Sequence, residues 1–172
     1  MLVVPKGRNM FVLIVHLFLL YYLFYLFRAT AIADKLHMDF ALIHKERRSQ
    51  IQPHKTDMML VGEVNDKVCI LIDDIADTSY TITKAAKILS ENGAKEIYAI
   101  ITHGIMSGDA IQRVVESTID QIIVSDSVPQ GDHLAQCSKL RVFNVAPIFA
   151  EAIRRIHNGE SVSALFNLMD LI

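Results

Sequence analysis

Apolar residues along this chain gather in short, nearly unbroken runs set between polar turns. Phe40, Ala41, Leu42 and Ile43 follow one another within Asp39–His44, and Val68–Ile72 is apolar throughout. Runs of that length without alternation suit strands covered on both faces. The same reasoning predicts strands over Met58–Val64, Glu96–Thr102, Gln121–Ser125 and Leu140–Val145. Between them the apolar spacing changes to that of helices: a short one over Arg28–His37, then Thr81–Asn92, Gly108–Ser117, and a last one with Pro147 in its first turn and Asn158-Gly159 at its end. Gly93 stands where a helix C-cap is expected. Strand and helix alternate, which predicts an α/β fold: a mostly parallel sheet with helices on both faces.

The N-terminus breaks this rhythm. From Met10 to Phe27 only His16 is neither aliphatic nor aromatic, with Lys6 and Arg8 before the run and Arg28 after it. As a helix it would rise roughly 27 Å, just short of the roughly 30 Å hydrocarbon core of a membrane. The expectation is an N-terminal hydrophobic helix, with three origins open. It is a signal-anchor, giving a membrane contact through residues 10–27; a secretory signal, which lacks a small-residue cleavage site; or a sequence with no evolved role. The chain then divides into a hydrophobic segment, 1–28, and an α/β domain, 29–172. On that reading, removing residues 1–27 leaves a more soluble domain that lacks one core strand.

Length and charge narrow the function. The 172 residues have room for one domain with a sizeable core, and a net charge of −2 gives no footprint for nucleic acid. Cys69 and Cys137 lie far apart in no metal-like spacing, so they read as reduced structural thiols. No zinc motif, Walker loop or G-x-G-x-x-G is present.

Chemistry concentrates after Val68–Ile72. The apolar run ends in Asp73 and Asp74, and Asp77, Thr78, Ser79, Tyr80 and Thr81 lead into a helix. Ligands of open α/β sheets sit at the carboxyl ends of strands. A helix N-terminus offers free N–H groups and partial positive charge to a phosphate, hydroxyls add donors, and strand-end carboxylates accept from sugar hydroxyls. Such a loop suits a phosphorylated sugar. Lys45 to Asp57 is polar, carries Pro53 and five basic residues, and reads as a surface loop of the kind that serves as an active-site lid.

The stretch Val68–Thr81 resembles the ribose-phosphate binding signature of the type I phosphoribosyltransferase fold. With Phe40–Arg47, Thr102–Ile105 and Ala150–Ser163 it is similar to the carboxyl-terminal half of ribose-phosphate diphosphokinase, also called phosphoribosyl pyrophosphate synthetase. The resemblance implies transfer of diphosphate from ATP to ribose 5-phosphate, with Mg²⁺, for nucleotide biosynthesis in the cytoplasm. It implies that Asp73 holds ribose hydroxyls with Asp74 in support, and that Asp77, Thr78, Ser79, Tyr80 and Thr81 surround the 5-phosphate. Lys45 and Arg47 match the catalytic loop's cations, and Ser161 and Ser163 match a tail that helps form a phosphate-responsive regulatory site. It also implies a homo-oligomer or a mixed assembly with full-length synthetase.

This chain departs from that pattern twice. Tyr80 stands where the family has Gly, and if the position is left-handed, Tyr costs roughly 1–2 kcal/mol there. The strand and diphosphate loop that should precede Arg28 are replaced by the apolar run, and the ATP half with its metal ligands is absent from these residues, so no metal ligand is assigned. The competing expectation is a non-catalytic subunit or pseudoenzyme associated with the synthetase.

Overall fold

The structure, a computed structural model, describes residues 10–16, 33–34, 37–46 and 57–165. Seven strands form one sheet: β1 Met10–His16, β2 Asp39–Glu46, β3 Asp57–Val61, β4 Val68–Ala76, β5 Glu96–Gly104, β6 Gln121–Ser125 and β7 Leu140–Phe143. Their spatial order is β3-β2-β1-β4-β5-β6-β7. All neighbouring pairs are parallel except β2 with β3. The helices are α1 Tyr80–Glu91, α2 Ala110–Glu116, α3 His133–Gln136 and α4 Ala146–His157.

The first correction concerns the N-terminus. Met10–His16 is a strand, in the middle of the sheet. Its backbone pairs with β2 from Phe11↔Asp39 to His16↔His44, and with β4 from Met10↔Val68 to Ile14↔Ile72. The expected hydrophobic helix therefore does not include these residues, and the core strand thought to be lacking is present. An apolar run of this kind satisfies a doubly covered strand as well as a membrane helix, and periodicity alone cannot separate the two. The remainder of the expected segment, 17–28, lies outside the described residues. Among the described residues no helix is long and apolar enough to cross a membrane.

The order of steps through the sheet locates the site. From β1 the chain steps to β2 in one direction; from β4 it steps through β5 and β6 to β7 in the other. The reversal falls between β1 and β4, the switch point at which open α/β sheets open a crevice beyond the strand ends. Right-handed crossovers put α1, α2 and α3 on one face. The β1–β2 connection, which would furnish the second face, lies mostly outside the described residues.

On the helical face, Cys69 and Leu71 of β4 and Ile97, Ala99 and Ile101 of β5 are buried against Ile82, Ala85, Ala86 and Leu89 of α1. Ala85 and Ala86 keep this face small, so the helix lies close to the sheet. Burial raises the Cys69 thiol to about 11, with Lys67 pulling slightly the other way, so this thiol is protonated and structural. The end of α1 closes as the sequence predicts: Ala94 N–H donates to Leu89 O at 3.0 Å and Gly93 N–H to Ser90 O at 3.1 Å. That is a Schellman cap, and Gly93 at φ 83 supplies its left-handed residue.

At the far end, Arg154 pairs with Glu151 and Glu160, and Arg155 with Glu151. The hydrogen bond from Arg154 is the main cause that holds the Glu151 carboxyl down at about 2 and lowers that of Glu160. A carboxylate depressed in the folded state adds stability above its ordinary range, and loses it as pH falls toward the folded value. The link between α4 and the turn at 158–161 is therefore expected to loosen from about pH 4.5 down to about pH 2. Carboxylate NMR titration checks this; Glu151 titrating in the ordinary range, or an effect indifferent to salt, contradicts it.

Candidate functional site

β4 does not stop at its acidic residues. The strand runs on through Asp73 and Asp74 to Ala76, because pairing with β5 continues from Asp73↔Ile101 to Ala76↔Gly104. The expected acidic turn is thus a strand end. Successive side chains on a strand point to opposite faces. Asp73 accordingly lines the cleft beyond the strand while Asp74 does not, although the Asp74 N–H donates to Asp73 Oδ1 at 3.0 Å.

That cleft, about 160 Å³, is lined by Asp73 and Ile75–Ile82. Of the seven residues expected to hold the sugar phosphate, all but Asp74 line it. It lies beside the switch point and in front of α1. The first N–H groups of a helix have no intrahelical carbonyl to meet. Ser79 precedes α1, but its hydroxyl does not cap the helix; it donates to Met106 Sδ at 3.3 Å.

Backbone geometry in the loop differs from expectation at one position. The left-handed residue is Ser79, at φ 58 and ψ 7, and Tyr80 is the first residue of α1. The penalty of about 1–2 kcal/mol for a non-glycine left-handed residue falls on Ser79. Tyr80 escapes it; its side chain is 55% exposed at the cleft.

The loop is backed by a neighbouring turn. Ile105 and Met106 N–H groups donate to Ala76 O at 2.9 and 3.1 Å, and Ser107 N–H to Asp77 O at 3.0 Å. Arg113 Nη1 donates to Thr78 O at 2.5 Å, and the Ser107 hydroxyl donates to the Asp77 carboxylate. Met106, Ser107 and Arg113 were not singled out in the sequence. Contacts reaching back across some thirty positions leave no local pattern. His103, at the end of β5, makes a 2.8 Å hydrogen bond between its Nδ1 and Ser127 Oγ.

The remaining expected residues lie elsewhere. Lys45 is on β2, its backbone in register with Met58 of β3, so the strand pair continues past the expected start of the polar loop. Arg47 lies outside the described residues. Ser161 and Ser163 are exposed beyond α4, where Ser161 O accepts from Arg155 Nη1 at 3.1 Å.

Comparison with known proteins shows the family. The phosphoribosyl synthetase-associated domain family matches residues 48–167. The chain belongs to that family. It is 52% identical over 141 residues to ribose-phosphate pyrophosphokinase 2 of Schizosaccharomyces pombe, a match covering 82% of this chain and 43% of the yeast protein. Among solved structures, phosphoribosylpyrophosphate synthetase from Mycobacterium smegmatis superposes with a TM-score of 0.74 at 31% identity, over 88% of this chain and 46% of the other. Adenine phosphoribosyl transferase from Trypanosoma brucei shares the fold, with a TM-score of 0.52 at 12% identity over 83% of this chain and 59% of that one. The chain thus spans less than half the length of the synthetases it resembles, and it carries the phosphoribosyltransferase-like fold of this synthetase family.

Proposed function

We propose that the loop after β4 holds ribose 5-phosphate, and that the domain is the sugar-phosphate part of a ribose-phosphate diphosphokinase. The observation that carries this is the convergence of Asp73, Asp77, Thr78, Ser79, Tyr80 and Thr81 on one cleft at the switch point. The 5-phosphate would lie on the N–H groups that open α1, helped by the Thr78 and Thr81 hydroxyls. Asp73 would accept from ribose hydroxyls, with Asp74 bracing it through the backbone. The reaction would pass the diphosphoryl group of ATP to the 1-hydroxyl of the sugar, yielding phosphoribosyl diphosphate and AMP. Lys45 and Arg47 would close over the transferring group and stabilise its charge. Assembly with further copies or with full-length synthetase, a cytoplasmic setting, and a regulatory anion contact at Ser161 and Ser163 belong to the same reading.

Magnesium fits the described residues poorly. No three His, Cys, Asp or Glu side chains cluster among them, and only one of the two adjacent carboxylates lines the cleft. They do not by themselves make a magnesium site.

Calorimetry with ribose 5-phosphate, ribose and inorganic phosphate tests the proposal. Ribose 5-phosphate should bind far more tightly than ribose. Asp73→Asn should weaken it about tenfold, the scale of a lost charge-assisted hydrogen bond, and change inorganic phosphate little. Equal binding of ribose and its 5-phosphate overturns the assignment.

The second reading, a non-catalytic partner of full-length synthetases, draws support from Tyr80. It lines the cleft at the position where the family pattern has Gly. Tyr80→Gly is expected to raise ribose 5-phosphate affinity several-fold, by clearing the approach to the helix N-terminus. It should also cost up to about 1 kcal/mol of stability at the helix start. Titration of both forms beside a urea melt decides it: unchanged or weaker binding removes Tyr80 as an obstacle.

A further inference from the structure

We propose that Ser107 and Arg113 are positioning residues for the anion loop, acting from behind it. Neither lines the cleft. The inference rests on the sugar-phosphate reading of that cleft. Three successive loop carbonyls are taken by donors from one neighbouring segment: Ala76 O by the Ile105 and Met106 N–H groups, Asp77 O by the Ser107 N–H, and Thr78 O by the Arg113 guanidinium. In a planar trans peptide the carbonyl and the next N–H point in opposite directions. Drawing these carbonyls toward residues 105–113 therefore turns the N–H groups of Asp77, Thr78 and Ser79 the other way, into an anion-binding nest.

Asp77 gives this device its second function. A carboxylate on the rim of an anion site repels the anion, and at close range in a partly desolvated cleft the repulsion outweighs a single hydrogen bond. The Ser107 hydroxyl donates to that carboxylate and draws it to the 105–108 turn. One serine thus orients a peptide through its N–H and restrains a charge through its hydroxyl. Arg113 adds a cation at the back of the loop; its guanidinium meets the Thr78 carbonyl. The left-handed Ser79 is fixed from the same side through Met106.

Phosphate and ribose 5-phosphate titrations of variants of the full chain test this. Ser107→Ala should lower affinity for both about tenfold, and Ser107→Thr, which keeps the hydroxyl at an exposed position, should retain it. In the Ser107→Ala background, Asp77→Asn should restore most of the loss, because the unrestrained charge is gone; a serine that merely stabilised the fold would show no such rescue. Arg113→Ala should weaken both ligands by a similar factor and speed amide exchange at residues 77–79. If native chain binds ribose 5-phosphate and Ser107→Ala binds it equally, or if Asp77→Asn gives no rescue, the positioning role is overturned while the site assignment stands. If native chain binds neither ligand, both are overturned.

Discussion

Deleting residues 1–27 abolishes cooperative folding of this domain. The strand Met10–His16 is held by six register pairs on the β2 side and five on the β4 side. Without it the sheet separates into β3-β2 and β4–β7, and two buried ladder edges lose their partners. Each lost backbone hydrogen bond is worth roughly 0.5–1.5 kcal/mol, and a buried group left unpaired costs more. Several such losses reach the roughly 5–15 kcal/mol that holds a typical domain together. Exposed edges would also recruit other chains, so the truncated product should aggregate. Circular dichroism and urea melts of both forms measure this. A truncated chain that is monomeric and melts cooperatively at the full-length midpoint would show that β1 is dispensable.

The second large effect is on turnover: the 172-residue chain alone makes no phosphoribosyl diphosphate above background. Diphosphoryl transfer depends on placing two substrates and the charge that develops between them, and enzymes gain at least about a millionfold from doing so. The cleft, about 160 Å³ among the described residues, is small. Pockets for drug-sized ligands occupy about 300–1,000 Å³. The synthetases that resemble this chain have more than half their length outside the match. An assay with ATP, Mg²⁺ and ribose 5-phosphate on a preparation free of full-length synthetase is decisive. Turnover that vanishes in Lys45→Ala would overturn the prediction and place a complete active site in these residues or in an assembly of them.

Elements marked by local sequence were legible; those set by distant pairing were not. Gln121–Ser125 was read to the residue, and the start of α1 to within one, because each element carries its own punctuation: an apolar run, a cap, a glycine. The residues around the proposed phosphate seat were legible for the same reason, being consecutive. Strand ends were less so. β4 continues through Asp73 and Asp74 because β5 offers it partners as far as Gly104, and that pairing lies outside any local window.

By itself the sequence determined the α/β alternation, the loop after β4 and the resemblance that the family match bears out, since each rests on residues close together in the chain. Only the tertiary structure decided that Met10–His16 is a central strand, that Ser79 and not Tyr80 takes the left-handed geometry, and that Ser107 and Arg113 stand behind the loop. An apolar run is compatible with helix or strand until neighbours on both sides claim its backbone hydrogen bonds. A loop's peptide orientations are set by whichever distant donors reach its carbonyls.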